Sequence, residues 1–139
     1  MSLVLDTSVV SALMRREDVA TAHLRRLRPG DVVLCAPVAA EIAFGLGRLA
    51  EGSRRRTLLT AEYTRLRSVV PWWDWDEAAA IAFGALKVQL ERAGPPVADM
   101  DVIVASVAAA RSCGGATMNT RDFARMPGLT VEDWRRPAS

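Results

Sequence analysis

A chain of 139 residues, half of them hydrophobic, is long enough to bury one compact core and too apolar to be disordered. No apolar run approaches the ~20 residues that cross a bilayer, and Met1-Ser2 leads straight into a first strand, which argues against a membrane span and a signal peptide. The net charge is only +2, and two distant cysteines (Cys35, Cys113) with a single histidine (His23) argue against a zinc site or disulfide framework, so a reducing cytoplasm is the expected location.

Leu3-Val4-Leu5 is a short apolar run without alternation, as in a strand covered on both faces of a parallel sheet. Asp6 then falls just past its carboxyl end, where open α/β sheets place their ligands. Thr7 or Ser8 can cap the helix that follows, which continues through Val9 to Met14; Asp6 can equally be the cap itself. A second helix spans Asp18 to Leu27, Pro29-Gly30-Asp31 is a turn, and Val32 to Cys35 is strand two.

Pro37 suits the first turn of a third helix, whose Val38, Ile42, Leu46 and Leu49 share one face. Glu41 lies about 60° round from Val38 and borders that buried stripe, where a carboxylate needs a cation or open water. Gly52-Ser53 ends the helix, and Arg54 to Leu66 forms a fourth. Val69 to Trp72 is a third strand, shortened by Pro71 and placed near an edge. Asp74 and Glu77 have the spacing of a capping box for a helix from Trp75 to Arg92; Trp72, Trp73 and Trp75 read as packing groups rather than base-stacking platforms.

After Gly94-Pro95-Pro96, the alanine-rich segment Val102 to Ala110 reads as a helix buried nearly all round. Asp99 suits its cap, but Asp101 beside it is a second like charge, and such pairs raise each other's pKa. Gly114-Gly115 closes this helix, Ala116 to Met118 is a fourth strand, and Asn119 to Phe123 forms a polar cluster leading into a helical turn. Leu129 to Val131 is a possible fifth strand. Strands alternating with helices imply an α/β sandwich with a mainly parallel sheet of four to five strands flanked by helices. No composition break or repeat divides it, so residues 1–139 are expected to form one domain.

Asp6 and Asn119/Asp122 follow strands, while Glu41 and Asp99/Asp101 lie near helix starts; a doubly wound sheet brings such positions to one crevice. Carboxylates without histidine or cysteine suit a hard cation, Mg²⁺ or Mn²⁺, and such ions serve phosphoryl displacement. All the basic residues except Lys87 are arginines, with clusters at Arg15-Arg16, Arg25-Arg26 and Arg54-Arg55-Arg56. These either hold a polyanion or keep helix surfaces in water. With an arginine rim, the acidic cluster points to phosphodiester hydrolysis.

The sequence resembles the PIN-domain ribonucleases, and within them the VapC-type toxins of bacterial toxin–antitoxin pairs. The likeness runs over essentially the whole chain. It is carried by Leu5-Asp6-Thr7-Ser8, by Ala39 to Gly45 around Glu41, by Asp101 to Ser106, by Thr117 to Phe123, and by Glu132-Asp133-Trp134. The resemblance implies a PIN-like three-layer sandwich in which Asp6, Glu41, Asp101 and Asp122 form the acidic site. Asp6 and Asp101 would be the most direct metal ligands, Thr7 and Asn119 would support them, and Asp99 stands where such proteins vary. Met118 stands where a basic or polar residue is common, and Ser106 where alanine is usual. It further implies a Mg²⁺-dependent endoribonuclease toxin, a homodimer, and a cognate antitoxin that pushes a basic side chain into the acidic site. Arg54, Arg55 and Arg56 are expected to be exposed and to help hold RNA or the antitoxin's acidic surface. The alternative is an RNA-binding or scaffold protein on the same fold without catalysis. A phosphorelay receiver would want a lysine late in the chain, and a dehalogenase-type phosphatase an aspartate where Ser8 stands.

Overall fold

The computed structural model describes residues 2–138. Five strands form one parallel sheet in the order β3-β2-β1-β4-β5: β1 (Leu3–Leu5), β2 (Val32–Cys35), β3 (Trp72–Trp73), β4 (Gly114–Thr117) and β5 (Val131–Asp133). Among the described residues seven α-helices connect them: α1 (Thr7–Met14), α2 (Asp18–Arg25), α3 (Ala36–Gly47), α4 (Arg54–Val69), α5 (Glu77–Ala93), α6 (Asp99–Ala110) and α7 (Thr120–Phe123). The chain runs outward from β1 to β2 and β3, then crosses back to β4 and β5 on the other side. Right-handed crossovers therefore place α1–α4 over one face and α5–α7 over the other, giving three layers.

The three central strands are buried at every residue, which is why their sequences read as unbroken apolar or small runs. Val4, Leu5, Val9, Val10, Val32 to Leu34, Val102 and Val107 are among the side chains almost wholly removed from water. Each such aliphatic group contributes about 1.5–3 kcal/mol on burial. Gly114 is needed for a close approach: a Cβ there would lie 2.9 Å from the Thr130 carbonyl oxygen and 3.0 Å from Leu3 Cδ2.

Several elements differ from their sequence-based bounds. Gly114 and Gly115 belong to β4 instead of closing α6; Ser112 does that, turning left-handed (φ 54°) while the Cys113 N–H bonds back to Ala108 O. β5 starts at Val131, two residues later than expected. α4 runs on through Val69, so β3 is confined to Trp72 and Trp73, beyond Pro71, which has no N–H to donate. It does lie on an edge, as Pro71 foretold. Asp76, not Asp74, caps α5 by accepting the Ala79 N–H; Asp74 instead accepts from the Trp72 indole, and Trp75 precedes the helix. α6 begins one residue past its cap, Ala98, so Asp99 occupies its first turn and does not cap it.

Candidate active site

In this sheet the direction of travel reverses between β1 and β4, and ligands of doubly wound sheets bind at such a switch point beyond the strands' carboxyl ends. Leu5 pairs with Ala116, so the next residues of the two strands, Asp6 and Thr117, face each other across the opening. Asp6 is buried and accepts three hydrogen bonds: from the Val9 N–H (3.0 Å) and Ser8 Oγ (2.6 Å) on Oδ1, and from Thr117 Oγ1 (2.5 Å) on Oδ2. It is therefore the α1 N-cap, and neither Thr7 nor Ser8 takes that position. Ser8 Oγ also accepts the Met118 N–H (3.0 Å), and Thr117 Oγ1 accepts the Asn119 N–H (2.9 Å). The two hydroxyls thus tie the end of β1 to the chain leaving β4.

Thr7 Oγ1 donates to Glu41 Oε1 (2.5 Å), which reaches across from α3. Asp101, in the first turn of α6, lies near Asp122 in α7. Burial first, and then the negative charges of Asp122, Asp6 and Glu41, push the Asp101 carboxyl up to about 6. The charges of Asp6, Glu41 and Asp122 therefore all bear on Asp101. Among the described residues none of the four takes part in an ion pair. The field reaches back to Cys35, whose buried thiol is pushed up to about 11, chiefly by desolvation and further by Asp6 and Glu41; it is no nucleophile.

Other expected site residues sit differently. Asp99 is exposed and paired with Lys87 Nζ at 2.9 Å, and its charge is not among those acting on Asp101. Asn119 contributes its backbone N–H while its side chain is exposed and makes no cap bond to α7. Arg54 and Arg55 are exposed, but Arg56 is half-buried, with Nη1 on the Leu49 carbonyl at 3.3 Å. Arg55 shares a groove with Thr7 and Glu41. Two larger hollows, of about 650 and 700 Å³, lie along α1, α2 and α4 and touch none of the four acids.

Sequence reasoning missed the hydroxyl partners of Asp6. A threonine ending a short small-residue strand was the available signal, but its meaning depends on β4 lying beside β1, a non-local fact.

A hard divalent cation fits the chemistry of this donor set: oxygen ligands only, buried in part, and without a cationic side chain to balance them. Among the described residues, no three acidic, histidine or cysteine groups are yet gathered closely enough to hold an ion as they stand.

The PIN domain family matches residues 3–129. The tRNA(fMet)-specific endonuclease VapC of Shigella flexneri is 26% identical over 134 residues, covering 96% of this chain and 98% of that protein. Its namesake in Salmonella typhimurium is 32% identical over 94 residues, 68% of either chain. The DNA-bound VapBC structure from Salmonella typhimurium superposes with a TM-score of 0.82 at 25% identity, over 96% of this chain and 98% of that one. The chain belongs to the PIN-domain family and, within it, to the VapC type.

Proposed function

We propose that this protein is a metal-dependent endoribonuclease acting as the toxin of a toxin–antitoxin pair, with residues 1–139 forming one PIN domain. The observation that carries this reading is the set of four acids from separate parts of the chain, three of whose charges bear on Asp101, with none in an ion pair among the described residues. An inert scaffold would have no reason to hold Asp101 at a cost to its ionisation, and nothing favours that alternative.

Asp6 and Asp101 would hold Mg²⁺ (or Mn²⁺), with Asp122 and Glu41 beside them. When bound, such a cation supplies acidified water and offsets charge developing on the phosphodiester oxygens. The chain's own residues do the rest. Ser8, Thr117 and the Val9 N–H fix both oxygens of Asp6, leaving it one orientation. Thr7 holds Oε1 of Glu41, which orients its second oxygen. Asp101, raised by burial and by the charge of Asp122 beside it, can hold a proton near neutral pH. Asn119, at the mouth of the β4–α7 turn, and the exposed Arg54 and Arg55 would face the RNA.

The partners follow from the same reading. The hollow between α1, α2 and α4 would receive an antitoxin. Ile81 and Val88, seven residues apart on α5 and exposed at 68% and 45%, would meet a second copy in a homodimer. No described helix is long and apolar enough to cross a membrane, and RNA cleavage would occur in the cytoplasm. The test is to map RNA ends after expression of wild type and Asp6→Asn side by side, and to repeat cleavage in vitro with EDTA. New ends for wild type alone, lost on chelation, are expected; undiminished cleavage in excess EDTA would overturn the metal dependence.

A further inference from the structure

We infer that the groove between α3 and the α1–α4 wall is a nucleotide subsite for the residue of RNA next to the bond that is cut; this rests on the ribonuclease reading. The groove encloses about 360 Å³ and runs from Thr7 and Glu41 at one end to Arg15 and Arg55 at the other. Ligand-sized clefts hold about 300–1,000 Å³, so this one matches a single nucleotide and not a bulky element. Its chemistry changes along its length in the order that a nucleotide needs. The acidic end abuts the site at which a phosphodiester would be attacked. The middle is apolar, with Phe44 and Leu59 on its walls and Gly45 leaving open space. The far end is cationic: Arg15 is held by Glu17 at 2.6 Å, while Arg55 is in no ion pair among the described residues.

Phe44 is the most telling group. It is 67% exposed, and the Arg48 guanidinium lies 5.5 Å from its ring centroid. An aromatic face with a cation beside it, on the lip of a groove that ends in arginine, is the arrangement by which proteins stack bases and track the backbone of single strands. A nucleotide seated there would put its base against Phe44 and Leu59 and its next phosphate at Arg55. Charge complementarity favours this occupant over an apolar peptide, because the far end offers Arg55, in no ion pair among the described residues, to a phosphate.

The position of Gly45 makes a clean test possible. A Cβ there meets nothing within 4 Å, so Gly45→Leu fills the groove without straining the helix. Labelled single-stranded RNA, kept uncut in EDTA, is titrated with wild type, Gly45→Leu, Arg55→Ala and Arg54→Ala. Gly45→Leu and Arg55→Ala should each weaken binding by roughly tenfold or more, with Arg54→Ala weaker in effect. The melting temperature of Gly45→Leu should be unchanged or higher, since leucine is the better helix former. In Mg²⁺, KM should rise by a similar factor while kcat changes less. Wild-type affinity in Gly45→Leu overturns the subsite, as does equal loss in Arg54→Ala and Arg55→Ala, which would mean diffuse charge. Failure of wild type to bind RNA at all also overturns it. If Gly45→Leu instead loosens a co-expressed protein partner and leaves RNA binding intact, the groove belongs to a peptide and the inference fails. The ribonuclease reading is judged apart, by whether wild type cuts RNA in Mg²⁺.

Discussion

Thr117 Oγ1 donates to Asp6 Oδ2 across 2.5 Å, joining the carboxyl ends of β1 and β4 at the point where the sheet's direction of travel reverses. The bond is buried, and it leaves the second oxygen of Asp6 to Ser8 and the Val9 N–H. Thr117→Val keeps the shape and removes the donor. A group that orients a ligand in this way typically alters metal affinity or activity by about 10–100-fold when lost. Thr117→Val should therefore weaken Mn²⁺ binding by that order, measured calorimetrically, and Thr117→Ser should restore it. Unchanged affinity in the valine variant would reduce Thr117 to packing.

Trp134 lies beyond residue 129, where the family match ends, yet it is wholly buried. Its ring stacks on His23 of α2 at 4.9 Å, its indole N–H donates to Glu132 Oε1, and its backbone N–H donates to the Thr117 carbonyl. His23 Nε2 in turn meets the Arg136 carbonyl at 2.6 Å. The segment after β5 is therefore part of the core. Trp134→Ala should cost about 3–5 kcal/mol, read from urea unfolding. A loss below 1 kcal/mol would mean that this segment is peripheral.

How far the sequence carried the fold depends on whether a feature was local. Leu3 to Leu5 and Val32 to Cys35 were legible because a strand buried on both faces must be apolar throughout. Helical phase placed Glu41 at the border of the buried stripe of α3, where it is half-buried and meets Thr7. Asp76 was not, because Asp74 offers the same cap chemistry two residues earlier and is drawn off by the Trp72 indole. Arg56 looked like its neighbours, but its phase on α4 turns it inward to Leu49. Asp99 was expected to cap α6, but the helix starts one residue earlier, and Asp99 pairs with Lys87 while Asp101 lies near Asp122. The convergence of the acids depends on strand order, which no local pattern encodes.

The raised carboxyl of Asp101 makes a pH prediction with a definite sign. Its folded pKa of about 6 stands above its ordinary value of 3.8, mainly through burial and then through the charges of Asp122, Asp6 and Glu41. The folded state thus binds the proton more tightly than the unfolded state. Without metal, the contribution of this group is full below pH 3.8 and falls through the window from 3.8 to about 6. It is lost above that. For a part-exposed group, solvent screening reduces the loss to the order of 1–2 kcal/mol. Other carboxylates titrate in the same range, so the readout is the difference between Asp101→Asn and wild type. That difference should be smallest at pH 4 and grow to a plateau above pH 6, in favour of Asn. A flat difference would mean that neither burial nor the neighbouring acids raise the Asp101 carboxyl.

Metal should reverse this balance, and the same variant tests it. At neutral pH the ionised Asp101 destabilises the metal-free fold, and its amide counterpart carries no charge for Asp6, Glu41 and Asp122 to repel. Asp101→Asn should therefore melt a few degrees higher than wild type in EDTA. A cation that binds only the folded cluster stabilises by RT ln(1 + [L]/Kd), about 2.7 kcal/mol at a hundredfold excess over Kd. Wild type should gain that stability in Mg²⁺ or Mn²⁺, whereas Asp101→Asn, lacking a charged ligand, should gain little. The two melting curves would then exchange order between chelator and metal. A helix cap could not produce this exchange, because asparagine caps about as well as aspartate, and Asp101 is not the cap of α6. Equal melting points in EDTA together with equal gains in metal would remove Asp101 from the site.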